Sequence, residues 1–156
     1  GVGVINTAVK GGEASDRAEK AAVDSMTRLN KAARDAARDL RVHAATDVTG
    51  FSLSGHSLEV AENSGVTVEI DTAKVPILTE AEELARFGFI PEGMYNNLDW
   101  VNGKIYYSPS IPLEKRDLML DPQTSGGLLF FLPMEDAETL VKRMDKDYVR
   151  IIGKVK

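Results

Sequence analysis

Apolar residues crowd the first positions of the chain, and the run from Val2 to Val9 predicts a strand. The period then changes. Ala18, Ala22, Met26, Leu29, Ala33, Ala36 and Leu40 recur at steps of three or four from Asp16 to Leu40, with Arg and Asp between them. That spacing predicts one amphipathic helix, or two in tandem, with an apolar stripe to bury. Ser15 is placed as its N-cap, because a hydroxyl there accepts a free amide of the first turn, and Asp16 suits the positive end of the helix dipole. Val42 to Val48 predicts a short extended segment and Gly50 a turn. Leu53 to Asn63 predicts a helix with Leu58 and Ala61 on one face and Gly65 as its stop. From Val66 to Asp71, Val66, Val68 and Ile70 alternate with Thr67, Glu69 and Asp71, the period of a strand with one wet face.

Thr79 and Glu82 have the spacing of a capping box, which predicts a short helix over Thr79 to Arg86. Phe87 to Asn102, broken by Gly88, Pro91, Gly93 and two adjacent Asn residues, predicts an irregular loop. Leu128 to Leu132 is a continuous apolar run stopped by Pro133, which predicts a central strand buried on both faces. Ala137, Leu140, Val141 and Met144 form a helical stripe, and Val149 to Val155 predicts a last strand. Strands and helices thus alternate without internal repeat, low-complexity tract or linker. The pattern predicts one domain over residues 1–156, of α/β or α+β class, with helices against a mixed sheet.

Composition narrows the function. The 156 residues are 43% hydrophobic and 28% charged, with no apolar stretch near the roughly 18 residues of a membrane helix, so a soluble domain is expected. The net charge is −5 and no face collects Lys and Arg, which argues against nucleic acid and membrane surfaces as partners. The absence of cysteine excludes disulfides, Cys-ligated zinc and a thiol nucleophile from this segment, and is compatible with the cytoplasm. The chain begins with Gly1 rather than Met and carries no signal-peptide pattern, so an upstream segment is expected to have been removed.

Self-sufficient phosphate sites are missing: there is no GxxxxGK[ST], and Gly1, Gly3 and Asn6 fall short of GxGxxG. His43 and His56 lack metal-ligand spacing, and local hydrogen bonding is the simpler role for each. The stretch ATDVTGFSLSGH, Ala45 to His56, stands out: a carboxylate and hydroxyls lead into a glycine turn and a helix start. Asp47 there can offer oxygen to a hard cation such as Mg²⁺. Local sequence alone favours its capping the following helix or forming an Asx turn with Thr49. In LMLDPQTSGGLLFF, Leu118 to Phe131, the turn at Asp121 and Pro122 leads through Thr124, Ser125 and two glycines into the apolar run. It can present amides to an anion or serve as a tight strand entry, and the missing helix N-terminus favours the second. FGFIPEGMYNN, Phe87 to Asn97, can be a substrate loop or ordinary turn chemistry, and Tyr95 and Trp100 can anchor it or stack on a base.

Taken in order, GVINTAVK (Gly3 to Lys10), SMTRLNKAA (Ser25 to Ala33), HAATDVTGF (His43 to Phe51), Gly55 with His56, Pro91 with Gly93 and Asn97, and DPQTSGGLL (Asp121 to Leu129) resemble the C-terminal domain of the selenophosphate synthetase family. The resemblance covers nearly the whole chain. It implies an α+β fold, an α/β/α three-layer sandwich with partial ferredoxin-like similarity, shared with aminoimidazole ribonucleotide synthetase and a hydrogenase maturation protein. It implies an enzyme making selenophosphate from ATP, selenide and water, with release of AMP and orthophosphate and a requirement for Mg²⁺. Most of such an active site lies in an N-terminal domain, so this chain is expected to be inactive alone, with its own N-terminal domain as partner and a homodimer as the full-length form. Carried over by position, Asp47 is the family's C-terminal-domain ligand to Mg²⁺ on the ATP phosphates, a role that no other residue here inherits. Ser52 stands where the family usually has Gly, Ser54 where it usually has Leu, and Glu92 interrupts a more usual small residue. A sister ATP enzyme of purine synthesis or hydrogenase maturation type, and a non-catalytic interaction module, remain the alternatives.

Overall fold

A computed structural model describes residues 1–144 and 148–156 and shows an α+β chain in which helices dominate. The first element corrects the reading of Val2 to Val9 as a strand: Val2–Gly11 is helix α1. Its residues fit both periods, and burial decides between them, since Val2, Val4, Ile5 and Ala8 are all at most 2% exposed. A helix enclosed this fully satisfies its backbone internally, whereas a strand there would need a ladder partner. Gly12, at φ 74°, ends α1 in the left-handed conformation.

The long amphipathic stretch resolves into two helices in tandem, α2 (Asp16–Thr27) and α3 (Lys31–Ala36), and Ser15 caps α2 by accepting the Ala18 amide at 3.1 Å. Strand β1 (Ala44–Asp47) leads through a turn into α4 (Ser52–Ser64), which Gly65 terminates at φ 63°. Strand β2 (Val68–Ile70) follows. Helix α5 (Ala81–Arg86) lacks the expected Thr79–Glu82 capping box. Glu80 takes the N-cap position in a left-handed conformation, and its carboxylate instead accepts the Ser15 hydroxyl at 2.7 Å.

The expected loop from Phe87 to Asn102 contains a helix, α6 (Glu92–Val101). Pro91 and Gly93 lie at its start, where the amides have no intrahelical acceptor, so neither interrupts it. Leu113–Leu120 forms α7, which the sequence pattern did not predict. Strand β3 (Leu128–Phe131) is half-buried rather than enclosed on both faces, and among the described residues it pairs with β1 alone. Helix α8 (Met134–Arg143) and strand β4 (Gly153–Val155) complete the chain.

Among the described residues the strands form two antiparallel ladders, β1 with β3 and β2 with β4, where one mixed sheet was expected. Helix α4 runs against both β1 and β2. The main core joins α1, α2, α5 and α7 through Val4, Ile5, Ala18, Ala22, Leu84 and Leu118. A smaller cluster of Met94, Val101 and Leu120 joins α6 to α7. Arg41, just before β1, reaches Asp136 at 2.6 Å at the start of α8, and this guanidinium holds the Asp136 carboxyl below its usual range.

Candidate functional site

Asp47 is the last residue of β1, exposed and opposite Leu128 of β3 in the ladder. Beyond it the two strands separate into the TDVTGF and DPQTSGG segments, which remain bound to each other. The Val48 amide donates to the Gly127 carbonyl at 2.9 Å, and the Gln123 amide to the Thr49 carbonyl at 3.1 Å. Gly126 passes so close that a Cβ there would lie 2.1 Å from the Val48 carbonyl oxygen. Gly126 of DPQTSGG therefore serves a close strand entry, one of the two uses open to that segment from sequence.

Other polar groups of the resembling stretches converge on the same junction. Asn30, between α2 and α3, donates to the Gly126 carbonyl at 2.9 Å, so SMTRLNKAA is a helix break rather than continuous helix. Asn97 of α6 is buried and donates to the carbonyls of Gly50 and Leu120, each at 2.9 Å. Asp121 is 1% exposed and caps α1 from afar, its Oδ2 accepting the Gly3 amide at 3.0 Å. The Gln123 side-chain amide donates to the same Oδ2 at 2.7 Å. Gly3 must be glycine here, because a Cβ would lie 2.4 Å from Asp121 Oδ1 and 3.1 Å from the Pro91 ring. Sequence reasoning missed the holding roles of Asn30, Asn97, Asp121 and Gln123. Their partners are far away in the chain, and because Phe87 to Asn102 reads as a loop, Asn97 had no apolar helix face against which to stand out.

Asp47 does neither of the things that local sequence favoured. The N-cap residue of α4 is Phe51, with no side-chain cap, and the first turn is served by Ser52, whose hydroxyl accepts the Gly55 amide at 3.3 Å. Among the described residues the Asp47 carboxylate enters no hydrogen bond or ion pair, although its own carbonyl accepts the Thr46 hydroxyl at 3.1 Å. An unpartnered carboxylate at a rigid strand end fits Mg²⁺, which keeps several waters and phosphate oxygens and asks for one or two carboxylates. No group of three His, Cys, Asp or Glu among the described residues could hold a metal by itself. Asp47 thus suits one ligand of several.

His43 and His56 do not come together as a pair. His43 is exposed and joins the ladder only through its backbone amide, which donates to the Phe131 carbonyl at 2.9 Å. His56 is buried, with Nε2 3.1 Å from the Thr49 hydroxyl and Nδ1 2.8 Å from Glu59. Trp100 stacks on Phe51 with ring centroids 5.5 Å apart, so it anchors α6 to the turn, whereas Tyr95 is exposed.

The departures at Ser52 and Ser54 have local compensations. Ser52 is fully buried at φ 69°, a conformation that favours glycine, and its cap to Gly55 offsets the strain. We expect Ser52→Ala to lower stability by about 1 kcal/mol, because it keeps the strained φ and loses the cap. Ser52→Gly should stay within about 0.5 kcal/mol of the parent, since conformational relief offsets the lost hydroxyl. Denaturant unfolding of the full-length protein measures both, and equal stability of the Ala variant would remove the cap from the account. The Ser54 hydroxyl lies 2.9 Å from the Tyr107 hydroxyl, so a polar pair occupies a position usually given to Leu. Burial pushes the Tyr107 phenol above its usual pKa despite that bond. Glu92 sits in the first turn of α6, where the helix dipole favours an acid.

The family described as AIR synthase related protein, C-terminal domain, matches residues 1–156. A selenide, water dikinase of Clostridium botulinum (strain Eklund 17B / Type B) is 43% identical over 99% of this chain and 46% of its own length. One of Caldanaerobacter subterraneus subsp. tengcongensis is 44% identical over 100% of this chain and 46% of its own. Selenide, water dikinase 2 of Peptoclostridium acidaminophilum is 39% identical over 99% of this chain and 45% of its own. The chain thus spans a little under half the length of these relatives.

Proposed function

Because the chain belongs to the AIR synthase related family, whose C-terminal domain it represents throughout, we propose that it is the C-terminal half of a selenide, water dikinase. The full-length protein would make selenophosphate from ATP, selenide and water and release AMP and orthophosphate. The observation that most supports this is the gathering of the resembling stretches, distant in sequence, around the Asp47 carboxylate, which has no partner among the described residues. Asp47 would hold Mg²⁺, and the bound ion would neutralise charge on the ATP phosphates. The chain's own task is to keep that carboxylate still. Phosphoryl transfer depends mostly on positioning and on charge stabilisation prepared in advance, and a strand end closed by DPQTSGG supplies such rigidity.

This chain supplies no nucleotide-binding glycine loop and no thiol, so it is expected to turn over no ATP alone and to work against its own N-terminal domain. The reading extends to a full-length homodimer in the cytoplasm. No helix among the described residues is long and apolar enough to cross a membrane. The reading also makes the two ladders parts of an α/β/α sandwich of partly ferredoxin-like form. Their packing on the shared helix α4 supports that arrangement.

Product analysis of the full-length protein tests the assignment. With ATP, Mg²⁺ and selenide, AMP and orthophosphate should accumulate together and a selenophosphate phosphorus resonance should appear. ADP as the sole nucleotide product, with a phosphorylated carbonyl or amide substrate, would overturn it in favour of a sister enzyme.

A further inference from the structure

Thr49, two residues after Asp47, is held at both ends. Its carbonyl accepts the amides of Gln123 and Ser52, at 3.1 and 2.9 Å. Its hydroxyl lies 3.1 Å from Nε2 of His56, and Nδ1 of that ring lies 2.8 Å from the Glu59 carboxylate one turn further along α4. A carboxylate only accepts, so Nδ1 carries a proton toward Glu59, and Nε2 is left to pair with the Thr49 hydroxyl. His56 is 8% exposed, and its ring meets Phe51 edge-on at 5.7 Å. Both ring nitrogens are therefore committed, and the hydroxyl they orient belongs to the turn that follows Asp47.

We propose that Glu59, His56 and Thr49 form a relay that locks this turn and so presents the Asp47 carboxylate in one orientation, with His56 as a positioning residue. The proposal rests on Asp47 being a metal ligand. The relay touches neither the metal nor the phosphates. It removes alternative turn conformations, and with them the entropy that engaging the ion would otherwise have to overcome. Its effect therefore falls on metal affinity rather than on the rate once metal is bound.

The test uses the full-length protein and titrates Mn²⁺, followed by its electron paramagnetic resonance, in the presence of a non-hydrolysable ATP analogue. Thr49→Val keeps the shape and loses only the hydroxyl. It should weaken Mn²⁺ binding about five- to tenfold, the scale of one lost ordering hydrogen bond. The Mg²⁺ concentration for half-maximal activity should rise in parallel, with kcat at saturating Mg²⁺ little changed. His56→Ala should behave alike, and His56→Gln, whose amide can reach the same hydroxyl, should recover most of the affinity. In an Asp47→Asn background Thr49→Val should add nothing. Wild-type Mn²⁺ affinity in Asp47→Asn would overturn the ligand reading and the relay with it. Weakened binding in Asp47→Asn beside wild-type binding in Thr49→Val would overturn the relay alone.

Discussion

Asp47→Asn in the full-length protein should lower selenide-dependent ATP turnover by about 100-fold or more while leaving the fold intact. Both halves of this expectation follow from the same geometry. The side chain is exposed and enters no hydrogen bond or ion pair among the described residues, so replacing it leaves no buried group unpaired and should shift stability by less than about 0.5 kcal/mol. Its loss would be felt where charge is neutralised during phosphoryl transfer, and removing one such group commonly costs about two orders of magnitude. Initial rates against Mg²⁺ concentration, with a circular dichroism melt as the control, measure both. Wild-type turnover at limiting Mg²⁺ would remove Asp47 from the metal site.

The second large effect concerns the junction that holds Asp47. Gly126→Ala should destabilise the protein by about 3 kcal/mol or more, because its Cβ would lie 2.1 Å from the Val48 carbonyl oxygen and 3.1 Å from the carbonyl carbon. Neither backbone can easily retreat. The Val48 amide is tied to Gly127 and the Thr49 carbonyl to Gln123, so relief at one bond strains its neighbour. Gly127→Ala is the control, since nothing lies within 4 Å of the Cβ it would add. Denaturant midpoints should separate the two variants clearly, and equal midpoints would show that the junction yields.

Much of the fold was legible wherever one local rule acted unopposed. Ser15, Gly65 and the alternating Val66 to Asp71 behave as their sequence suggests, because capping, left-handed termination and strand alternation are decided by near neighbours. Reading failed where distant groups decided. Val2 to Val9 carried both periods, and enclosure by α2, α5 and α7, with the cap from Asp121, selected helix. Pro91 and Gly93 read as loop-makers because their place at a helix start was not visible without α6 itself. Glu80 displaced the Thr79 capping box by accepting Ser15, a partner 65 residues away. The sequence singled out Asp47 as a candidate ligand, whereas the residues that hold the turn beside it bond across the chain and leave almost no local pattern.

The interleaving of the ladders has a consequence in time. Asp47 and Leu128 are ladder partners about eighty residues apart, and Val68 and Val155 are separated by a similar span, so each pairing must close a long loop before it gains anything. At about 5–20 residues per second, a ribosome would complete β1 several seconds before the strand that fixes its end has been made. Asp47 would wait in an unfinished turn for that interval. The carboxylate would thus acquire its orientation late in folding, and a nascent chain stalled before Asp121 should contain the Asp47 motif without a site.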